Sequence, residues 1–133
     1  MNPLIGKTIQ AVFLAEDSQA IKFDLKDGDS IIALADGDCC SYTWIEYVET
    51  PKNLLGVVKK VEDIDMPDLG NMDGSCVVAY YGCKITTDKG TCLLDYRNDS
   101  NGYYGGYLSW PGKHFYGGVF GQNVSQQVWK QIA

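Results

Sequence analysis

Residues 19–35 read Gln-Ala-Ile-Lys-Phe-Asp-Leu-Lys-Asp-Gly-Asp-Ser-Ile-Ile-Ala-Leu-Ala. Ile21, Phe23 and Leu25 alternate with Lys22, Asp24 and Lys26, a period of two that marks a strand with one apolar and one wet face. Asp27-Gly28 is a strong hairpin signal, because glycine takes the positive φ that a tight turn needs. The return from Asp29 to Ala35 has Ile31 and Ile32 on opposite faces, so it belongs deeper in the sheet. One such hairpin cannot bury its apolar face alone, and the rest of the chain must supply more strands.

It does so on both sides. Residues 8–15 are β-prone and mostly apolar, and 42–48 are rich in β-branched and aromatic residues. Thr50-Pro51 reads as a helix start, with threonine as N-cap, and Gly56 closes that short helix after Leu54-Leu55. Val57 to Met66 reads as a strand with a charged outer face, and Pro67 to Gly74 as a loop. Ser75 to Thr87 begins a second β region in which residues 76–81, apolar on both faces, read as a central strand; Thr87 to Gly90 is a turn, and Thr91 to Arg97 alternates again. Cys92, Leu94 and Tyr96 point one way; Thr91, Leu93, Asp95 and Arg97 point the other.

From Asp95 to Trp110 the pattern is a strand, a tight Ser-Asn-Gly turn and a returning strand, followed by a glycine-rich turn at 111–121. Val124, Val128 and Ile132 recur at i, i+4 and i+8 after Asn123, which predicts a short C-terminal amphipathic helix. The expected fold is therefore α+β: a mainly antiparallel sheet of seven or eight strands, a short internal helix and a C-terminal helix, in one compact domain over residues 1–133.

Composition narrows the function. Net charge is -6, and residues 1–74 carry 14 acids against 6 lysines, whereas 75–133 carry 3 acids against 5 bases and 11 of the 16 aromatics. An acidic chain is a poor general binder of nucleic acid, since phosphate neutralisation supplies most of that affinity. A small anion with a flat ring suits the aromatic, slightly basic half. No basic n-region with an apolar run opens the chain and no bilayer-length apolar stretch follows, so a soluble, cytoplasmic protein is expected. Cys39, Cys40, Cys76, Cys83 and Cys92 are odd in number and match no zinc spacing, so they read as buried thiols in a reducing compartment, with no metal and no cofactor. His114 is the only histidine, and Asp36, Asp38 and Glu46 work against a reactive thiolate at Cys39 or Cys40. No base, nucleophile and oxyanion-donor set can be named, and the reading is of a protein that is not an enzyme.

The recognition residues predicted instead are Arg97, Asn101, Tyr103, Tyr104, Tyr107 and Trp110. Arg97, the only arginine, offers a planar charged fork for phosphate or carboxylate. The tyrosines and Trp110 offer faces for stacking, and Asn101-Gly102 offers turn amides.

Asp38-Cys39-Cys40, Trp44 with Glu46, Leu54-Leu55-Gly56, the Thr87-to-Gly90 turn and Ser100-Asn101-Gly102-Tyr103-Tyr104 together resemble a family of small domains of unknown function found in phages and prophages. The resemblance spans Gln19 to Trp110 and implies a phage accessory protein acting in the bacterial host cytoplasm against host defence. The first expectation is sequestration of a small nucleotide-like anionic signal without chemistry, in a pocket that a second subunit of a homo-oligomer would complete. The alternatives are a protein-binding inhibitor of a host defence protein, for which nucleic-acid mimicry is one form although the acids are scattered through turns, and a small carbohydrate-binding β domain.

Overall fold

The computed structural model describes residues 2–37, 41–65, 72–73, 76–100, 106–110 and 128–133. Among them are ten strands: β1 Ile9–Ala15, β2 Ala20–Leu25, β3 Ser30–Gly37, β4 Tyr42–Glu49, β5 Val58–Asp65, β6 Met72–Asp73, β7 Cys76–Thr87, β8 Gly90–Ser100, β9 Gly106–Ser109 and β10 Trp129–Gln131. They form two antiparallel sheets, one ordered β10-β1-β2-β3-β9 and the other β4-β8-β7-β5, with β6 paired to β7.

The hairpin at 19–35 forms as its pattern requires. Gly28 takes φ 97°, and the Asp27 carboxylate accepts from the Asp29 N–H at 2.9 Å, closing the turn between β2 and β3. Ile21, Phe23 and Leu25 are buried in one cluster with Ile45, Val48, Val58, Ile85, Leu94 and Tyr96, which come from the second sheet. The inner faces of the two sheets thus share a core, and each fully buried aliphatic or aromatic side chain contributes about 1.5–3 kcal/mol. Trp110 enters the same core and stacks on Phe23 with ring centroids 5.9 Å apart.

Three expectations are corrected. The fold is nearly all antiparallel β rather than α+β: no α-helix occurs among the described residues. Thr50–Pro51 begins only a 3-10 turn, Pro51–Leu54. Thr50 sits in the left-handed region at φ 50°, and its hydroxyl donates to Glu49 O and Thr91 O instead of accepting from a helix N–H, so no cap forms to extend the turn.

No C-terminal helix occurs among the described residues 128–133. Trp129–Gln131 pair with β1 instead, and Val12 N–H donates to Ala133 O and Ile132 N–H to Val12 O, both at 2.9 Å. An amphipathic period this short is marginal as a helix, while the open edge of β1 offers unpaired backbone groups to a tryptophan-bearing strand. Asn123 and Val124 lie outside the described residues.

The segment from Asp95 to Trp110 is not a hairpin. β9 pairs with β3 in the first sheet, Leu108 opposite Ala35, while β8 lies in the second. The chain therefore changes sheets between Ser100 and Gly106. Gly37 and Gly106, paired across β3 and β9, let the sheets approach: a Cβ on Gly37 would meet the Thr43 hydroxyl at 2.7 Å and Asn98 Nδ2 at 2.9 Å. Below them Asn98 Nδ2 donates to Thr43 Oγ1 at 2.8 Å in a fully buried pair.

Candidate functional site: an aromatic and acidic sheet face

In β8 the residues that alternate with buried Cys92, Leu94, Tyr96 and Asn98 are Leu93, Asp95, Arg97 and Asp99, which project from the outer face of the second sheet. Antiparallel pairing places Trp44 of β4 on one side of Arg97 and Tyr80 of β7 on the other. The guanidinium carbon stands 4.3 Å from the centre of the Tyr80 ring. Its nitrogens reach Asp95 at 3.4 Å and Glu46 at 3.6 Å. Glu46 holds the cluster together, because its other carboxylate oxygen accepts from Trp44 Nε1 at 2.7 Å. Trp44 in turn stacks on Tyr42, with centroids 5.6 Å apart.

A bulge makes this arrangement possible. Between Ile45 and Tyr47 the register of β4 against β8 slips, so Glu46 is an extra residue. Ile45 and Val48 still point into the core, while Glu46 and Tyr47 both project outward. Tyr47 is 60% exposed and Tyr42 55%, unusual values for large aromatic side chains on a sheet face.

Partial burial alone lowers the pKa of Arg97, but the hydrogen bonds it donates to Asp95 and the charges of Asp95 and Glu46 outweigh it, and the net shift is upward. The cation is permanent, and its charge is met within the fold.

Of the predicted recognition residues, the three described ones, Arg97, Tyr107 and Trp110, are not gathered at one place. Arg97 stands on the outer face of the second sheet. Tyr107 belongs to the first sheet, opposite Asp36 on β3 and on the other side of its strand from buried Leu108. Trp110 is core, 8% exposed. Asn101, Tyr103 and Tyr104 lie outside the described residues. An open cleft of about 420 Å³ lies elsewhere, lined by Gly6, Lys7, Thr8, Leu25, Lys26 and Asp27, none of them a predicted ligand residue.

Sequence reasoning took Trp44 as part of a resemblance and Glu46 as that and as a charge opposing a reactive thiolate, and missed Tyr42, Tyr47 and Tyr80. The available signal was the repeat of aromatics at 42, 44 and 47, which the bulge puts out of step with a simple alternation.

Cys83 and Cys92 are buried free thiols, as expected. Desolvation pushes both up to about 12, Asp63 adding to the effect at Cys83 and Glu49 at Cys92, so neither is a thiolate nucleophile at neutral pH. Cys39, Cys40 and His114 lie outside the described residues, and the Cys76 side chain is likewise not described. Among the described residues no three His, Cys, Asp or Glu side chains converge to hold a metal ion. No helix among them is long and apolar enough to cross a membrane.

Comparison with known proteins returns a family described as "Domain of unknown function (DUF7448)", which matches residues 2–110. The chain is also 36% identical over 116 residues to "Uncharacterized protein L278" of Acanthamoeba polyphaga mimivirus, an alignment covering 80% of this chain and 90% of that protein. No solved structure matches. The matched region contains the whole Trp44–Arg97–Tyr80 face.

Proposed function

We propose, for a chain that belongs to the DUF7448 family, a role as a non-catalytic viral accessory protein that docks a host protein on the outer face of its second sheet. The observation that carries this reading is the pairing of two exposed tyrosines, Tyr42 and Tyr47, with an arginine already neutralised by Asp95 and Glu46. An anion-binding site needs a cation with unsatisfied donors pointing at the ligand. Here the guanidinium is occupied, and what the face offers instead is aromatic surface, with Trp44 fixed by its hydrogen bond to Glu46 and Tyr42 stacked on Trp44. Tyrosine, tryptophan and arginine dominate the energetics of protein interfaces, because they bury large area at low entropic cost. The viral relative is consistent with an accessory protein that blocks a host factor, for which the host cytoplasm is the natural site of action.

The test is affinity capture from host cells with the wild-type chain and with Tyr42→Ala/Tyr47→Ala. Both positions are exposed, so the variant stays folded and loses only the stacking of Tyr42 on Trp44, a drop of a few degrees in melting temperature at most. A stoichiometric protein partner held by the wild type and lost by the variant supports docking. A nucleotide-like small molecule that co-purifies with both chains, and raises their thermal stability equally, contradicts it and restores the signal-sequestering role.

A further inference from the structure

We infer that the docked partner presents arginine or lysine side chains, taken by two tyrosine–carboxylate pairs that flank Arg97; this rests on the docking role proposed above. Arg97 shows how the face holds a cation: over a tyrosine ring, at 4.3 Å from Tyr80, and between two carboxylates, Asp95 and Glu46. The same two ingredients recur on either side of it without a cation. Tyr42 stands directly across from Asp99 in the β4–β8 register. At the other end Tyr47 precedes Glu49 by two residues, so both project from the same face of β4. Among the described residues neither Asp99 nor Glu49 makes an ion pair.

The local charge points the same way. Glu46, Glu49, Asp95 and Asp99 stand against Arg97 alone on the β4–β8 half of the face, four acids to one base, a net of -3. Lys84 lies on β7 in the same row as Glu49, but with Leu93 between them and Glu62 of β5 directly opposite on its other side. A cation over an exposed aromatic ring and beside a carboxylate gains from both contacts. Tyr42 and Tyr47 are five positions apart along β4, roughly 15 Å at strand spacing, so the complementary segment carries two cations at about that separation.

The test uses a synthetic Gly/Ser peptide with two arginines five residues apart, and a twin with glutamate at both positions. The readout is the Trp44 indole N–H resonance in a two-dimensional NMR titration. Wild type should show a saturable shift with the arginine peptide that fades at high salt, and none with the glutamate peptide. Glu49→Gln/Asp99→Asn, near-isosteric changes at an exposed and a half-buried outer-face position that leave folding intact, should weaken the arginine peptide about fivefold. No shift at millimolar peptide, equal shifts for both peptides, or an unchanged affinity in the double variant would each overturn the inference. If these fail while Tyr42→Ala/Tyr47→Ala still releases a captured protein, the docking role stands and the cationic partner falls.

Discussion

Replacing Arg97 with methionine separates an occupied guanidinium from one waiting for an anion. Methionine keeps an apolar stem against Tyr80 and removes the charge. Glu46 is 42% exposed at the side chain and lies 3.6 Å away, so its pair contributes on the order of 0.5 kcal/mol. Asp95 is 16% exposed at 3.4 Å and makes two contacts with the guanidinium, so about 1 kcal/mol is reasonable there. The cation–π contact at 4.3 Å adds roughly 0.5 kcal/mol.

The sum, about 2 kcal/mol, corresponds to a fall in melting temperature of roughly 7 °C for a chain of this length. Urea denaturation of the wild type, Arg97→Met, Asp95→Asn and the double variant gives the coupling energy directly. The reasoning predicts about 1 kcal/mol of coupling to Asp95 that shrinks in molar salt. Arg97→Met as stable as the wild type, with coupling near zero and phosphate stabilising only the wild type, would refute it.

Three further outcomes follow from the core. Trp110→Ala should lose about 3–5 kcal/mol in urea denaturation, because it vacates a buried site stacked on Phe23; a loss below about 1 kcal/mol would place Trp110 at the surface. Gly37→Ala should cost about 2–3 kcal/mol, because the new methyl collides with the Thr43–Asn98 pair and separates it; a melting temperature within a degree of wild type would contradict the close approach. Burial holds Cys83 near 12 against an ordinary value of 9.0, so folding favours the protonated thiol. Its stabilisation is complete below pH 9 and drains away as pH rises toward 12, by about 2 kcal/mol near pH 10.5; because Cys92 behaves alike, Cys83→Ala should roughly halve the loss, and a slope unchanged in the variant would count against the assignment.

Much of the sheet was legible. The alternation in β2 and β8 sorted Phe23, Leu94 and Tyr96 from Lys22, Asp95 and Arg97 because a strand has a period of two and one face of each was wet. Register and sheet membership were not legible. The Ser-Asn-Gly turn says that the chain turns, not that β9 will pair with β3 across the sandwich. The period at Val128 and Ile132 fits a helix as well as it fits the three-residue strand that the edge of β1 recruits. The face around Arg97 was half visible. Arg97 itself stood out as the only arginine, but Trp44 and Tyr80 become its neighbours only through pairing between distant strands. Tyr47 faces outward only because the bulge at Glu46 reverses the phase of β4.

The most direct measurement is site-specific photo-crosslinking in host cells, with p-benzoylphenylalanine at position 47 and, as a control, at Asp29 on the exposed β2–β3 turn. Docking on the outer face of the second sheet predicts one discrete crosslinked protein from position 47 and none from position 29. Equal labelling from both positions, or no adduct from position 47, would contradict it.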